Sequence, residues 1–306
     1  MIATVALFVY NRPAHTLRTI EALGKNILAD ETDLVIFSDG AKKNATNDDN
    51  KKIEDVRKIV SSVTGFRSVT PEFSETNKGL AGSIVSGINK IFEKTDRVIV
   101  LEDDILVSKY FLSFCNHALT KYSGEERVMA ISGYAYPVEV TSNQSYFLQT
   151  GACWGWATWK RAWKYYNPDA NELKKKIKSG NKTDEFNFRG SYDYMEMLQQ
   201  HIEGKISSWA VCWYASVFLN NGLTLYPPQS LTQNAGMDGS GTHYKSVTTH
   251  TPADFKGPAS ENRKLPNEII ADADATTKLE NYFRHMNKSS VKERMKGFLK
   301  KNIFTR

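Results

Sequence analysis

Arg97-Val98-Ile99-Val100-Leu101-Glu102-Asp103-Asp104 joins an apolar, β-branched run to three successive carboxylates. The run predicts a strand buried on both faces, central in its sheet, and the residues leaving such a strand enter the ligand crevice of a parallel sheet. Three carboxylates side by side repel one another, and withdrawing them from water is costly unless a cation or a set of donors compensates. Oxygen-only ligands at a turn suit Mg²⁺ and Mn²⁺, which take one or two carboxylates and fill the remaining positions with phosphate oxygens and water. Taken alone, the triplet reads more simply as a solvated acidic turn capping the next helix. Its place at the end of a central strand favours the metal.

Working back towards the start, hydrophobic period predicts a strand at Ile2 to Val9 and a helix from Ala14 to about Lys25 carrying Leu17, Ile20 and Leu23. A second strand is expected at Leu34 to Phe37, a helix from about Asn50 with Ile53, Val56, Ile59 and Val63, and an extended stretch near Phe66 to Phe73. A third helix carries Leu80, Ile84, Ile88 and Ile91. Strands alternating with helices of this length predict an α/β fold with a mostly parallel central sheet covered by helices on both faces. The strand exits, Asn11-Arg12, Ser38-Asp39-Gly40 and the triplet, then converge on one crevice.

Beyond the triplet the signals thin. A helix with Phe111, Phe114, Ala118 and Tyr122 leads to strands at Val128 to Ser132 and Tyr146 to Leu148, and another helix is expected from Tyr192 to His201. Cys153 to Trp163 holds four of the six tryptophans, and Lys174 to Lys182 reads as a basic polar stretch. The remainder reads as loop-rich, with Pro227 to His243 a mobile, glycine-rich surface loop. A weak boundary near residue 125 divides the chain into residues 1–125, 126–250 and a C-terminal extension, 251–306.

At 306 residues and 41% hydrophobic content the chain can bury a substantial core. Its longest apolar stretch, Ile2 to Tyr10, is about half of what a membrane span requires. It lacks the flanks of a secretory signal, and three widely spaced cysteines fit a reducing compartment, so a cytoplasmic location is expected. Part of the net charge of +6 sits in the C-terminal tail; outside it the basic residues are dispersed and no recognised motif organises them, which argues against a nucleic-acid partner. In residues 290–306, Val291, Met295, Phe298, Leu299 and Ile303 recur near helical spacing among lysines and arginines. That pattern suits a helix lying on an anionic membrane, here the inner face of the cell membrane, and equally a terminal helix packed on the body.

The run Val98 to Ile105, followed by Ser108-Lys109-Tyr110-Phe111, resembles the metal-binding segment of nucleotide-sugar glycosyltransferases with the GT-A fold. The most specific likeness is to the N-acetylglucosaminyltransferase I type, and family-2 transferases share the same first-half motifs. Tyr10-Asn11-Arg12, Ser38-Asp39-Gly40 and Asn77-Lys78-Gly79-Leu80-Ala81-Gly82 fall in matching order before the triplet. Gly155-Trp156, Tyr192-Asp193-Tyr194 and Pro228 to Thr232 resemble the acceptor half, so the likeness covers about residues 2 to 245. Asn11 departs from the family, standing where its eukaryotic members tend to carry an acid.

The resemblance implies a GT-A, Rossmann-like sheet with a smaller, mixed acceptor-binding half. It also implies a metal-dependent, inverting hexosyl transfer from a UDP-sugar to a glycan or lipid-linked glycan, as in polysaccharide assembly. It puts Asp104 on Mn²⁺ or Mg²⁺, Asp103 near the ribose or a metal-bound water, and Glu102 near the donor sugar. Asp39 offers an acceptor for the base or ribose, Arg12 brackets base or diphosphate, and Asn77 and Lys78 approach the nucleotide from a helix start. Asp193 is the candidate base for the acceptor hydroxyl, with Glu196 in reserve, though Asp193 serves equally as a helix cap. Trp156 is the candidate acceptor-stacking residue, whereas Trp159 and Trp163 read as a buried helical stripe. His243 could close on the diphosphate or metal with its loop. Two rivals remain, a nucleotidyltransferase, whose glycine-rich phosphate loop is lacking at Asn11-Arg12-Pro13, and a non-catalytic nucleotide-sugar-binding protein.

Overall fold

A computed structural model describes residues 2–140, 144–236 and 264–286. The first half contains β1 (Thr4–Val9), α1 (Pro13–Gly24), β2 (Asp33–Ser38), α2 (Asn47–Ser61), β3 (Ser68–Phe73), α3 (Gly79–Ile91) and β4 (Arg97–Glu102). There follow β5 (Ile105–Val107), α4 (Phe111–Lys121), β6 (Val128–Ser132), β7 (Tyr146–Leu148) and β8 (Trp156–Trp159). The last part holds α5 (Lys160–Trp163), α6 (Ala170–Ser179), α7 (Thr183–Phe186), α8 (Tyr194–Ile202), α9 (Trp209–Leu219), β9 (Leu223–Tyr226), β10 (Thr232–Asn234) and a helix over 273–286.

Eight strands form one sheet in the order β3-β2-β1-β4-β8-β6-β9-β7. β3, β2, β1 and β4 are parallel, as their alternation with helices requires. β8 runs antiparallel to both β4 and β6, and β7 runs antiparallel to β9. The sheet therefore crosses residue 125 without a break, and the expected mixed half is its continuation.

β1 and β4 are apolar at every inner position because both faces of the sheet are covered. Val5, Leu7, Val9, Ile99 and Leu101 pack with α1, α2 and α4, whereas Ala6, Phe8, Val98 and Val100 pack with α3 and α9. Chain order reverses at β1, since β2 and β3 lie on one side of it and β4 on the other. The carboxyl ends of β1 and β4 thus flank the crevice where a doubly wound sheet binds ligands.

Three segments differ from the sequence reading. Lys174 to Lys182 mostly belongs to α6, which Asp169 caps through Asn171 N and Glu172 N and which buries Leu173 and Ile177. α9 was hidden because it is apolar all round and leaves no amphipathic period to read. Residues 264–286 are part of the body: 264 and 271 bridge to residues 144 and 147 along the β7 edge, and Ala275, Leu279 and Phe283 enter the second core. Glu280, 5% exposed, is ion-paired there with Arg189 at 3.2 Å. Among the described residues no helix is long and apolar enough to cross a membrane. The helix expected within 290–306 lies outside the described residues.

If residues 264–286 are integral to the second core, Phe283→Ala should lower stability by about 3–5 kcal/mol, the usual cost of truncating a buried phenylalanine. Urea denaturation would check this, and a loss below about 1 kcal/mol would show the segment to be only loosely attached.

Candidate functional site

The crevice is built by two strand exits and a roof. β1 ends at Val9, and Pro13 at the first position of α1 turns the chain so that Arg12 points across the crevice; Arg12 O accepts from Thr16 N at 2.9 Å. From the end of β4, Asp103 and Asp104 both accept from Arg12 Nη2, the latter at 3.0 Å. Thr19 of α1 donates to the Asp103 carbonyl at 2.8 Å, fixing the triplet's backbone to the same helix.

The roof comes from β10, which pairs antiparallel with β5 immediately after the triplet. Ala235 N donates to Asp104 O at 2.7 Å, and Gly236 packs so closely that a Cβ there would run into the Asp104 carboxylate. The expectation of a mobile loop over Pro227 to His243 is therefore corrected for 232–236, which are pinned to the acidic turn. No apolar pattern announces this, because the pinning uses backbone groups and a missing side chain.

One guanidinium does not balance three carboxylates. Burial, then the charges of Asp104 and Asp103, push Glu102 well above the ordinary carboxylate range. Asp103 is pushed up to about 6 by burial, against the opposing pull of Arg12. Burial pulls the Arg12 pKa down, but Asp103 and Asp104 more than offset this and raise it. The crevice thus holds carboxyl groups whose charged forms are not fully compensated by its own cation.

That imbalance fits one kind of metal. Among the described residues no three His, Cys, Asp or Glu side chains are arranged to hold an ion, so an all-protein cage does not fit. Two adjacent carboxylates of a strand exit do fit Mg²⁺ or Mn²⁺, whose other positions come from phosphate and water.

The second exit has a different task. Asp39, 7% exposed, accepts from Gly40 N, Lys78 N and Gly79 N, each at 2.9 Å, and from Asn77 Nδ2 at 3.0 Å. These donors fill the roughly four acceptor positions of a carboxylate. In this structure the carboxylate expected to face a base or ribose caps α3 from a neighbouring strand. Asn77 is spent on Asp39 and on Gly40 O at 2.8 Å, and the N–H groups of Lys78 and Gly79 are satisfied, while the Lys78 side chain is exposed. A Cβ at Gly40 would stand 2.6 Å from the Thr76 carbonyl carbon, so only glycine lets β2 and the α3 entry approach this closely.

The tryptophan reading is also corrected. Trp156 is fully buried in β8, stacked on Trp209 at 5.3 Å and packed against Trp163 and Trp213, so it has no face for a sugar. Trp159 is buried as expected but lies on β8 rather than on one helix with Trp163. The half-buried tryptophan beside the crevice is Trp154, edge-on to Tyr134 at 4.8 Å, its carbonyl accepting from Thr232 of the roof at 2.8 Å. Cys153, next to it, is pushed up to about 12 by burial and then by Glu102 and Asp104. Tyr136, Tyr194 and Tyr226 in turn feel Cys153, so an aromatic wall runs from the triplet into the second core. These tyrosines are scattered in sequence and share no motif.

Asp193 is exposed and caps α8, accepting from Glu196 N at 2.9 Å and Asn187 Nδ2 at 3.0 Å; Glu196 is exposed one turn on. The capping alternative thus describes what this side chain does here. It sits between Tyr192 and Tyr194 of the aromatic wall. His243 lies outside the described residues.

No protein-family model matches the chain, and no curated protein matches it. Among solved structures it is similar to S. aureus TarS 1-349, with 13% identity over 78% of this chain and 61% of that chain, and a TM-score of 0.42. It is similar also to the mannosyltransferase PcManGT from Pyrobaculum calidifontis in complex with GDP-Man and Mn²⁺, with 11% identity over 71% of this chain and 69% of that chain, and a TM-score of 0.38. A third is a UDP-glucose pyrophosphorylase complexed with UDP-glucose, with 12% identity over 57% and 80% of the two chains, and a TM-score of 0.32. This chain spans about three-fifths of the TarS chain it matches. Likeness of this degree leaves the chemistry to be read from the crevice itself.

Replacing Asp39 with alanine should strip three backbone N–H groups of their acceptor and destabilise the protein by about 1–3 kcal/mol, as loss of a buried cap does. Chemical denaturation measures it, and an unchanged midpoint would remove the capping role.

Proposed function

We propose that the chain is a glycosyltransferase that moves a sugar from a nucleotide-sugar donor, a UDP-sugar by resemblance, to a glycan or lipid-linked glycan acceptor. The observation that carries this reading is the under-compensated triplet at the carboxyl end of β4, facing Arg12 across the point where strand order reverses. A crevice of that charge attracts a divalent cation together with the anion that brings its remaining ligands, and a diphosphate is such an anion.

In this reading Asp104, with Asp103 beside it, holds Mn²⁺ or Mg²⁺, and the ion when bound neutralises the departing nucleoside diphosphate. Glu102, half-buried at the base of the triplet, faces the donor sugar, and Lys78 approaches the nucleotide. Trp154 and Tyr134 form the acceptor-side wall, because half-buried aromatic faces suit sugar C–H groups. Asp193 accepts the acceptor hydroxyl proton, with Glu196 in reserve, and leaves its capping bonds to do so. The hexose, the inverting outcome and an attachment of residues 290–306 to the inner face of the cell membrane belong to the same proposal. A nucleotidyltransferase would release pyrophosphate from a nucleoside triphosphate, whereas this reading requires release of a nucleoside diphosphate from a nucleotide-sugar.

A thermal-shift screen of nucleotide-sugars with and without Mn²⁺ tests the donor half. Stabilisation should need both partners, reaching about 2.7 kcal/mol at a hundredfold excess over the dissociation constant, and should vanish in Asp104→Asn. Asp193→Ala should keep that stabilisation and lose transfer; normal turnover would remove Asp193 as base.

On the acceptor side, Trp154→Ala should raise the acceptor KM by roughly 2–10-fold, the worth of one aromatic contact, with donor affinity unchanged. The same loss from the buried Trp156 without unfolding would contradict the wall as drawn.

A further inference from the structure

Arg12 stands where a shared cation would stand. Its Nη2 bridges Asp103 Oδ1 and Asp104 Oδ2, the two carboxylate oxygens that face each other at the β4 exit. Behind the guanidinium lies the roof, with Nη1 only 3.2 Å from where a Cβ of Gly236 would be. Asp103 and Asp104 are held from their own side by Thr19 and Ala235 through backbone carbonyls, so the acids are anchored whether or not Arg12 is present. Apart from its bonds to the two acids, the Arg12 side chain has no hydrogen bond or ion pair among the described residues, and it is the most exposed of the three, 22% against 6% and 14%. The acids are fixed and the cation is on a tether.

We propose that Arg12 is an exchangeable counter-ion: it neutralises Asp103 and Asp104 while no divalent cation is bound, and must release them when one arrives. The inference rests on the reading of the triplet as a cation site. A guanidinium and a divalent cation placed on the same pair of oxygens repel each other, so the two compete for them. Once released, the guanidinium stays within a side chain's length of the crevice, where a nucleoside diphosphate is the anion it can grip with its planar fork. Cation and diphosphate binding then become coupled through Arg12: the donor rewards the release that the cation requires. The consequence is ordered loading, with metal alone bound weakly and metal with diphosphate bound well.

The test is a Mn²⁺ titration followed by the electron paramagnetic resonance signal of the free ion, on the full chain, with and without UDP. The proteins compared are wild type, Arg12→Gln, Arg12→Lys and Asp104→Asn. Each charge-assisted hydrogen bond that Arg12 gives up is worth about tenfold in an equilibrium. Arg12→Gln should therefore bind Mn²⁺ alone about tenfold or more tightly than wild type. The factor by which UDP tightens Mn²⁺ should be smaller in Arg12→Gln than in wild type. Arg12→Lys, which keeps the charge but lacks the fork, should fall between them, and it carries the comparison if the glutamine variant folds poorly by circular dichroism. Equal or weaker Mn²⁺ binding by Arg12→Gln overturns the exchange, as does an unchanged UDP factor, which would leave Arg12 a fixed counter-charge. If neither wild type nor Arg12→Gln binds Mn²⁺ better than Asp104→Asn does, the cation reading of the triplet falls as well. Binding by both that Asp104→Asn lacks, but with no difference between them, sinks the exchange alone.

Discussion

Negative charge at the carboxyl end of β4 is the constraint around which the first half of the chain is arranged. Ile99 and Leu101 point into one apolar layer and Val98 and Val100 into the other, so the strand cannot shift to place its acids in water. Glu102, Asp103 and Asp104 are delivered to the crevice by the same alternation that buries the strand. Arg12 from the turn after β1, Thr19 from α1 and Ala235 from the roof all converge on this one turn. A turn contacted by three separate segments, yet left with carboxylates above their ordinary range, is held rigidly in an electrostatically unfinished state. That combination is costly for stability and useful for binding a cation.

The neighbouring exit shows how the same residue type can be satisfied instead. Asp39 also leaves a buried parallel strand, yet its carboxylate is completed by the N–H groups opening α3 and the Asn77 amide. The difference lies in what each acid faces. Asp39 meets a helix N-terminus, whose unpaired N–H groups are the natural complement of a carboxylate, while the triplet meets other carboxylates and a single guanidinium. Two acidic exits of one crevice thus differ: the carboxylate of one is completed within the protein, and those of the other are not.

The parallel half was legible because its information is periodic. Strands buried on both faces and helices with one apolar side each leave a pattern in the residues, and β1, β2, β4 and α1 to α3 fall close to where that pattern puts them. The triplet was legible as a charged group in an apolar setting. The rest was not, for identifiable reasons: α9 is apolar all round, β8 is a short tryptophan-rich strand in the middle of the sheet, and helix 273–286 joins the second core by contacts remote in sequence. Trp156 misled for the same reason that β8 did, since a tryptophan beside a glycine gives no sign of whether it faces a sugar or three other indoles. The roof escaped notice because Gly236 acts through what it lacks.

The two halves differ in how they treat polar atoms, and this bears on how a crevice between them can be used. At the β4 exit the carbonyls of Asp103 and Asp104 accept from Thr19 and Ala235 of other elements. The opposite wall is made of tyrosines and Trp154, whose rings pack edge-on and stacked while their polar tips vary in environment. Aromatic rings give large contact area at low entropic cost and tolerate different sugar orientations, whereas charged oxygens in fixed positions tolerate little. Under the proposed function, a crevice with one charged wall and one aromatic wall would keep the diphosphate end of a donor constant and leave acceptor choice to the second wall. Under that reading, changes in acceptor preference should arise among the Tyr134, Tyr136 and Trp154 side chains, while the Trp154 backbone, whose carbonyl accepts from Thr232, stays tied to the same roof that pins Asp104.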